Sequence, residues 1–100
     1  MTLSDLRQTT ATLVGMCENV SRGGHDEQLI ENLRSDPLAR HLPTGFGPEA
    51  ANWIEAVITA GAAFMNDVRS GKGLHSYYAR LNDLQYALDR LIVAVNAVKP

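Results

Sequence analysis

The chain has 100 residues, of which 45% are hydrophobic and 20% charged, and its formal net charge is −2. This length fits one domain with one core, so residues 1–100 are predicted to form a single domain, and the composition excludes a disordered chain. The 9 lysines and arginines are spread without a run, which excludes the concentrated basic face that a nucleic-acid partner requires.

Nothing in the sequence points to export or to a membrane. The residues after Met1 lack a basic segment followed by an apolar stretch, so no cleavable signal is predicted. The longest uncharged stretch, residues 56–66, is shorter than the roughly 18 apolar residues of a spanning helix. A single cysteine, Cys17, excludes an internal disulfide and fits a reducing compartment. We therefore expect a cytoplasmic protein.

The first helix is predicted to begin near Thr2 or Ser4, either of which can cap it, and to end at the Arg-Gly-Gly of residues 22–24. Its apolar and small residues alternate at spacings of three and four: Leu3, Leu6, Thr10, Leu13, Cys17 and Val20. A stripe with this spacing lies on one side of an α-helix and packs lengthwise against other helices.

A second, short helix is predicted at about residues 26–35, because its acidic first turn suits the positive end of a helix. The Ser-Asp-Pro sequence at residues 35–37 predicts a further turn or two, to about His41. Residues 42–48 include two prolines and two glycines, so they are predicted to form an irregular loop.

The third helix is predicted from Pro48 to about Ser70, and a glycine-containing turn at residues 70–73 joins it to a fourth, C-terminal helix. The seam of the third helix repeats at spacings of four and three: Ala50, Ile54, Val57, Gly61, Phe64 and Val68. The fourth helix carries the longest seam: Leu74, Tyr77, Leu81, Leu84, Leu88, Leu91, Val95 and Val98. Because residues 56–65 are apolar or small on nearly every side, the third helix is predicted to be central.

These elements predict an all-α fold: an antiparallel helical bundle of three main helices and one short helix, built on the coiled-coil-like hairpin of residues 48–98. The apolar residues of the fourth helix extend beyond its seam over residues 91–98, and a chain of this length has little material to cover two such helices. We therefore expect self-association, most simply a two-fold symmetric homodimer. The alternative is that the first two helices cover this surplus within one chain.

The chemical motifs are weak. His25, Asp26 and Glu27 are adjacent, but consecutive helical residues diverge, so only Glu27 and Glu31 could share a metal ion. An acidic first turn explains these residues better. Cys17 lies in a seam, where a thiol packs as a hydrophobic group. No nucleophile, base and oxyanion donor are seen to converge. The sequence therefore predicts no enzyme, no cofactor and no metal site.

Five residues are candidates for a protein interface: Phe46, Trp53, Tyr78, Gln85 and Ile92. Ile92 is predicted at the dimer contact, on the side of the fourth helix shared with Tyr78 and Gln85. Tyrosines on a helix face bury area in interfaces while keeping a polar tip exposed. Phe46 either plugs the end of the bundle, with Trp53 packed behind it, or is exposed and makes its loop a docking site.

Two functions remain open at this point. The first is a small non-catalytic protein–protein interaction module (an adaptor, inhibitor, chaperone-like protein or regulatory subunit) that contacts itself or another protein through helix faces. The second is a bundle that binds a small apolar ligand or serves as a non-catalytic enzyme subunit, with a pocket between the first, third and fourth helices.

Overall fold

The computed structural model of the chain describes three stretches: residues 3–34, 46–71 and 73–98. All regular elements in these stretches are helices: α1 (Leu3–Ser21), α2 (Glu27–Arg34), α3 (Pro48–Ser70) and α4 (Leu74–Asn96). The all-α class and the long C-terminal hairpin are therefore confirmed. The predicted extra turn to His41 and most of the loop at residues 42–48 lie outside the described residues.

Glycine and proline set the bounds of the hairpin. Pro48 is the first residue of α3, a position where its fixed φ suits the helix and its missing N–H is not needed. After Ser70, Gly71 adopts a left-handed conformation with φ +64°, and its N–H donates to the carbonyls of Asp67 and Val68. Glycine takes this conformation without a Cβ penalty. The chain then enters α4 after Gly73, as the sequence predicted.

The central helix is α4, not α3 as the sequence predicted. It packs along α3 on one side and along α1 on the other, whereas α2 contacts α1 and α3 over shorter stretches. The buried residues of α4 cover a wide sector: Leu81, Leu84, Ala87, Leu88, Leu91, Ala94 and Val95. On α3, by contrast, Thr59 and Ala62 are exposed. Small side chains bury little area, so leaving them in water costs little.

The predicted seams form the core except at helix ends. Leu88, Ile54 and Leu6 are at most 1% exposed. Leu74, however, is 73% exposed, because it is the first residue of α4. None of the described helices is long and apolar enough to cross a membrane.

Near the end of α3 a carboxylate takes the core position. Asp67 is buried, whereas the seam residue Val68 is only half-buried. The hydroxyl of Ser76 and the Nε of Arg80 both donate to Asp67 Oδ2, the latter at 3.2 Å. These bonds compensate the carboxylate for its lost hydration. This cluster was not predicted from the sequence, and it links the C-terminal end of α3 to α4.

Replacing Asp67 with alanine should lower the free energy of unfolding by about 1–3 kcal/mol, because the change removes a buried, charged hydrogen-bond acceptor. Glu55→Ala is the matched control on α3, since Glu55 is exposed and its loss should cost no more than about 0.5 kcal/mol. Urea denaturation of both variants measures the difference. Equal stabilities for the two would contradict a structural role for the cluster.

Candidate interaction surface on the third and fourth helices

An aromatic and cationic cluster lies where α3 and α4 meet the solvent. The rings of Trp53 and Tyr86 pack edge to face, with centroids 5.9 Å apart and planes at 77°. The guanidinium carbon of Arg90 lies 5.5 Å from the Trp53 ring, within the range of a cation–π interaction. These contacts bring three large side chains together at the surface.

The cluster continues along α4. Val93 lies two turns beyond Tyr86 on the same side of the helix, and these side chains are 57% and 62% exposed. Asp83 is also exposed and lies one turn before Tyr86. We call the surface formed by Trp53, Asp83, Tyr86, Arg90 and Val93 the outer surface. It combines apolar area with one charge of each sign.

The structure separates the five residues predicted for an interface. Tyr78, Gln85 and Ile92 are seven residues apart and share one flank of α4. Ile92 is half-buried and lines a groove of about 220 Å³ with residues of α1, among them Ala11. Trp53 instead contacts the other flank, through Arg90. A charge at position 92 would therefore perturb the packing of α1 as well as any interface.

The remaining predicted residue, Phe46, immediately precedes Gly47 and α3. Its side chain is half-buried and packs against the core, as does that of Trp53. Tyr86, Arg90 and Val93 were not among the predicted interface residues. The spacing of seven between Tyr86 and Val93, opposite the seam, was the only sequence signal for them.

Two larger grooves are open to solvent. One, of about 650 Å³, lies between α1 and α2 and has polar residues such as Asn19, His25 and Gln28 in its lining. The other, of about 490 Å³, lies between α3 and α4, where small residues such as Ala60 face Arg80 and Asp83. Asp83 belongs to both this groove and the outer surface, so the two are continuous.

Two side chains that could take part in chemistry, Cys17 and Tyr77, are held in the fold by burial or by a hydrogen bond. Burial, with smaller contributions from Asp89 and Glu18, raises the pKa of the Cys17 thiol to about 12, so it is protonated at neutral pH. Tyr77 donates a hydrogen bond of 3.0 Å to Asp26. Burial and this hydrogen bond raise the pKa of Tyr77. In the part of the chain that the structure describes, no three His, Cys, Asp or Glu side chains are grouped to hold a metal ion.

Comparison of the chain with known protein families, with curated proteins and with solved structures gave no match. The geometry and chemistry of its own surfaces are therefore the guide to function.

Proposed function

We propose that the chain is a small, non-catalytic protein–protein interaction module, an adaptor, inhibitor, chaperone-like protein or regulatory subunit that acts through helix faces and self-associates as a homodimer. The observation that supports this proposal is the outer surface. Tryptophan, tyrosine and arginine are the residue types most enriched among the residues that dominate binding energy in protein interfaces. Here Trp53 contacts both Tyr86 and Arg90 at the surface.

Prior ordering of these side chains favours binding. Holding a flexible side chain in one conformation costs free energy when a complex forms. The contacts of Trp53 with Arg90 and with Tyr86 meet part of that cost in the free protein. The outer surface thus resembles a preorganised anchor more than a set of independent surface residues.

The alternative, a bundle that binds a small apolar ligand, has weaker support. The groove between α1 and α4 has apolar walls that include Ala11 and Ile92, but its volume is about 220 Å³. Ligand pockets usually enclose about 300–1,000 Å³ and have mostly apolar linings. The two grooves of larger volume are open and have polar residues in their linings. Contact with protein therefore accounts better for the exposed apolar residues.

Native mass spectrometry of the purified protein tests this proposal. We expect a dimer of the 10.9 kDa chain at micromolar concentration, in equilibrium with a monomer that carries no additional mass. The control is the same sample under denaturing conditions, where only covalently attached mass remains. A reproducible small mass bound to the native monomer and lost on denaturation would instead favour the ligand-binding bundle and contradict the interaction module.

A further inference from the structure

Building on the proposed function, we infer that the partner is a second copy of this chain, which lays its α4 antiparallel across the outer surface so that Asp83 of each copy faces Arg90 of the other. This inference specifies the surface through which the proposed homodimer forms, the orientation of its two α4 helices and their register. Three observations lead to it: the spacing of the two charges, their availability to a partner and the apolar residues between and beside them.

The spacing of the charges fits a two-fold axis. Asp83 and Arg90 are seven residues apart, so they lie two turns apart on one side of α4. In a two-fold antiparallel pair, the contact between residue i and residue j of the partner occurs twice. One register of the two helices therefore forms two equivalent ion pairs. The two-fold axis of the dimer then passes beside Tyr86, midway between Asp83 and Arg90.

The same charges disfavour a parallel arrangement. Two parallel copies of α4 in register would place Asp83 beside Asp83 and Arg90 beside Arg90. Like charges placed opposite one another disfavour an association and select against it. The pattern of charges thus specifies the antiparallel orientation.

Both charges are available to a partner. Arg80 forms its ion pair with Asp67, and within the described residues neither Asp83 nor Arg90 takes part in an ion pair. Arg90 lies over the Trp53 ring, and a guanidinium in a cation–π contact still has N–H donors that can bind a carboxylate. It can therefore keep its contact with Trp53 while it binds a carboxylate of the second copy.

The apolar part of the surface sets the strength of the contact. The 23 residues of α4 span about 34 Å, enough for both ion pairs. The large apolar side chains between and beside these charges are limited to Trp53, Tyr86 and Val93. A contact of this kind falls near the lower end of specific interfaces, below about 1,200 Å² of total buried area. We expect a reversible dimer that is weakened by salt.

Charge reversal provides the test. Asp83→Arg and Arg90→Asp each place like charges at both contacts, so each variant should be monomeric where the unmodified protein is dimeric. Mixing the two variants should restore a dimer that contains one copy of each, because both contacts then join opposite charges. The double variant Asp83→Arg/Arg90→Asp should form a homodimer on its own. Sedimentation velocity at matched concentrations measures all four cases.

Two controls keep the test decisive. Glu31→Arg reverses an exposed charge on α2, away from the outer surface, and should leave the dimer intact. Val93→Arg places a positive charge at an exposed apolar site, which this register sets level with Arg80 of the second copy. It should sediment as a monomer that remains helical by circular dichroism, which tests the face even if Arg90→Asp fails to fold.

Specific results would overturn this inference. If Val93→Arg remained dimeric, or if two folded single variants did not restore a dimer on mixing, the assigned face or register would be wrong. If the unmodified protein were dimeric but insensitive to both reversals, the register would fail while the proposed interaction function stood. A monomer at every concentration would exclude the second copy and with it the homodimer of the proposed function, whereas only the bound small mass described above would contradict the interaction module itself.

Discussion

Replacing Leu88 with alanine should lower the free energy of unfolding by about 2–5 kcal/mol, through lost burial and the cavity left behind. Leu88 is 1% exposed and belongs to the helix that packs against both α1 and α3. Because α1 and α3 pack on two sides of α4 and are held by their other contacts, they cannot easily move in to fill the cavity left by the truncation. Urea denaturation followed by circular dichroism gives the loss directly, as a shift of the midpoint with an unchanged slope.

Leu74→Ala is the matched control. Leu74 belongs to the same predicted seam of the same helix and undergoes the same chemical change, but it is 73% exposed. Its truncation should change the free energy of unfolding by no more than about 0.5 kcal/mol. If the two variants lost equal stability, α4 would not be oriented in the bundle as the structure has it.

The helices and their bounds could be predicted from the sequence because local chemistry determines them. Pro48 and Gly71 act at the ends of α3 through their own backbone preferences, whatever the helix packs against. The seams could also be predicted in mid-helix, where an apolar stripe must face the core. Ile54 and Leu88 are buried for this reason.

Contacts between different helices, and the burial that depends on them, could not be predicted from the sequence in this way. Periodicity gives the direction in which Leu74 or Val68 points, but not whether a neighbour extends far enough to cover it. Tyr77 donates a hydrogen bond to Asp26, 51 residues away in the chain, and Trp53 packs edge to face against Tyr86 from another helix. For the same reason periodicity alone did not show that Ile92 lies half-buried beside α1, or that Tyr86 is exposed next to Trp53.

Alkaline pH should destabilise the fold through the buried thiol of Cys17 and the half-buried phenol of Tyr77. Burial raises the pKa of Cys17 from 9.0 to about 12, and burial with the hydrogen bond to Asp26 raises that of Tyr77 above its usual 10.0. In both cases the folded state favours the protonated form. The stabilisation is therefore fully present below the unfolded pKa values and is lost as pH rises through the window between unfolded and folded values.

For Cys17 the expected slope is about 1.4 kcal/mol for each pH unit above 9.0, so stability should hold to about pH 9 and then fall. Cys17→Ala removes the titrating group and should flatten this fall between pH 9 and 10, where Tyr77 contributes little. Val20→Ala is the matched control, because Val20 is also buried in α1 but does not titrate. It should lower stability equally at every pH and keep the slope. If the stability of Cys17→Ala fell with pH as steeply as that of Val20→Ala, burial of the Cys17 thiol would not be the cause of the alkaline loss of stability.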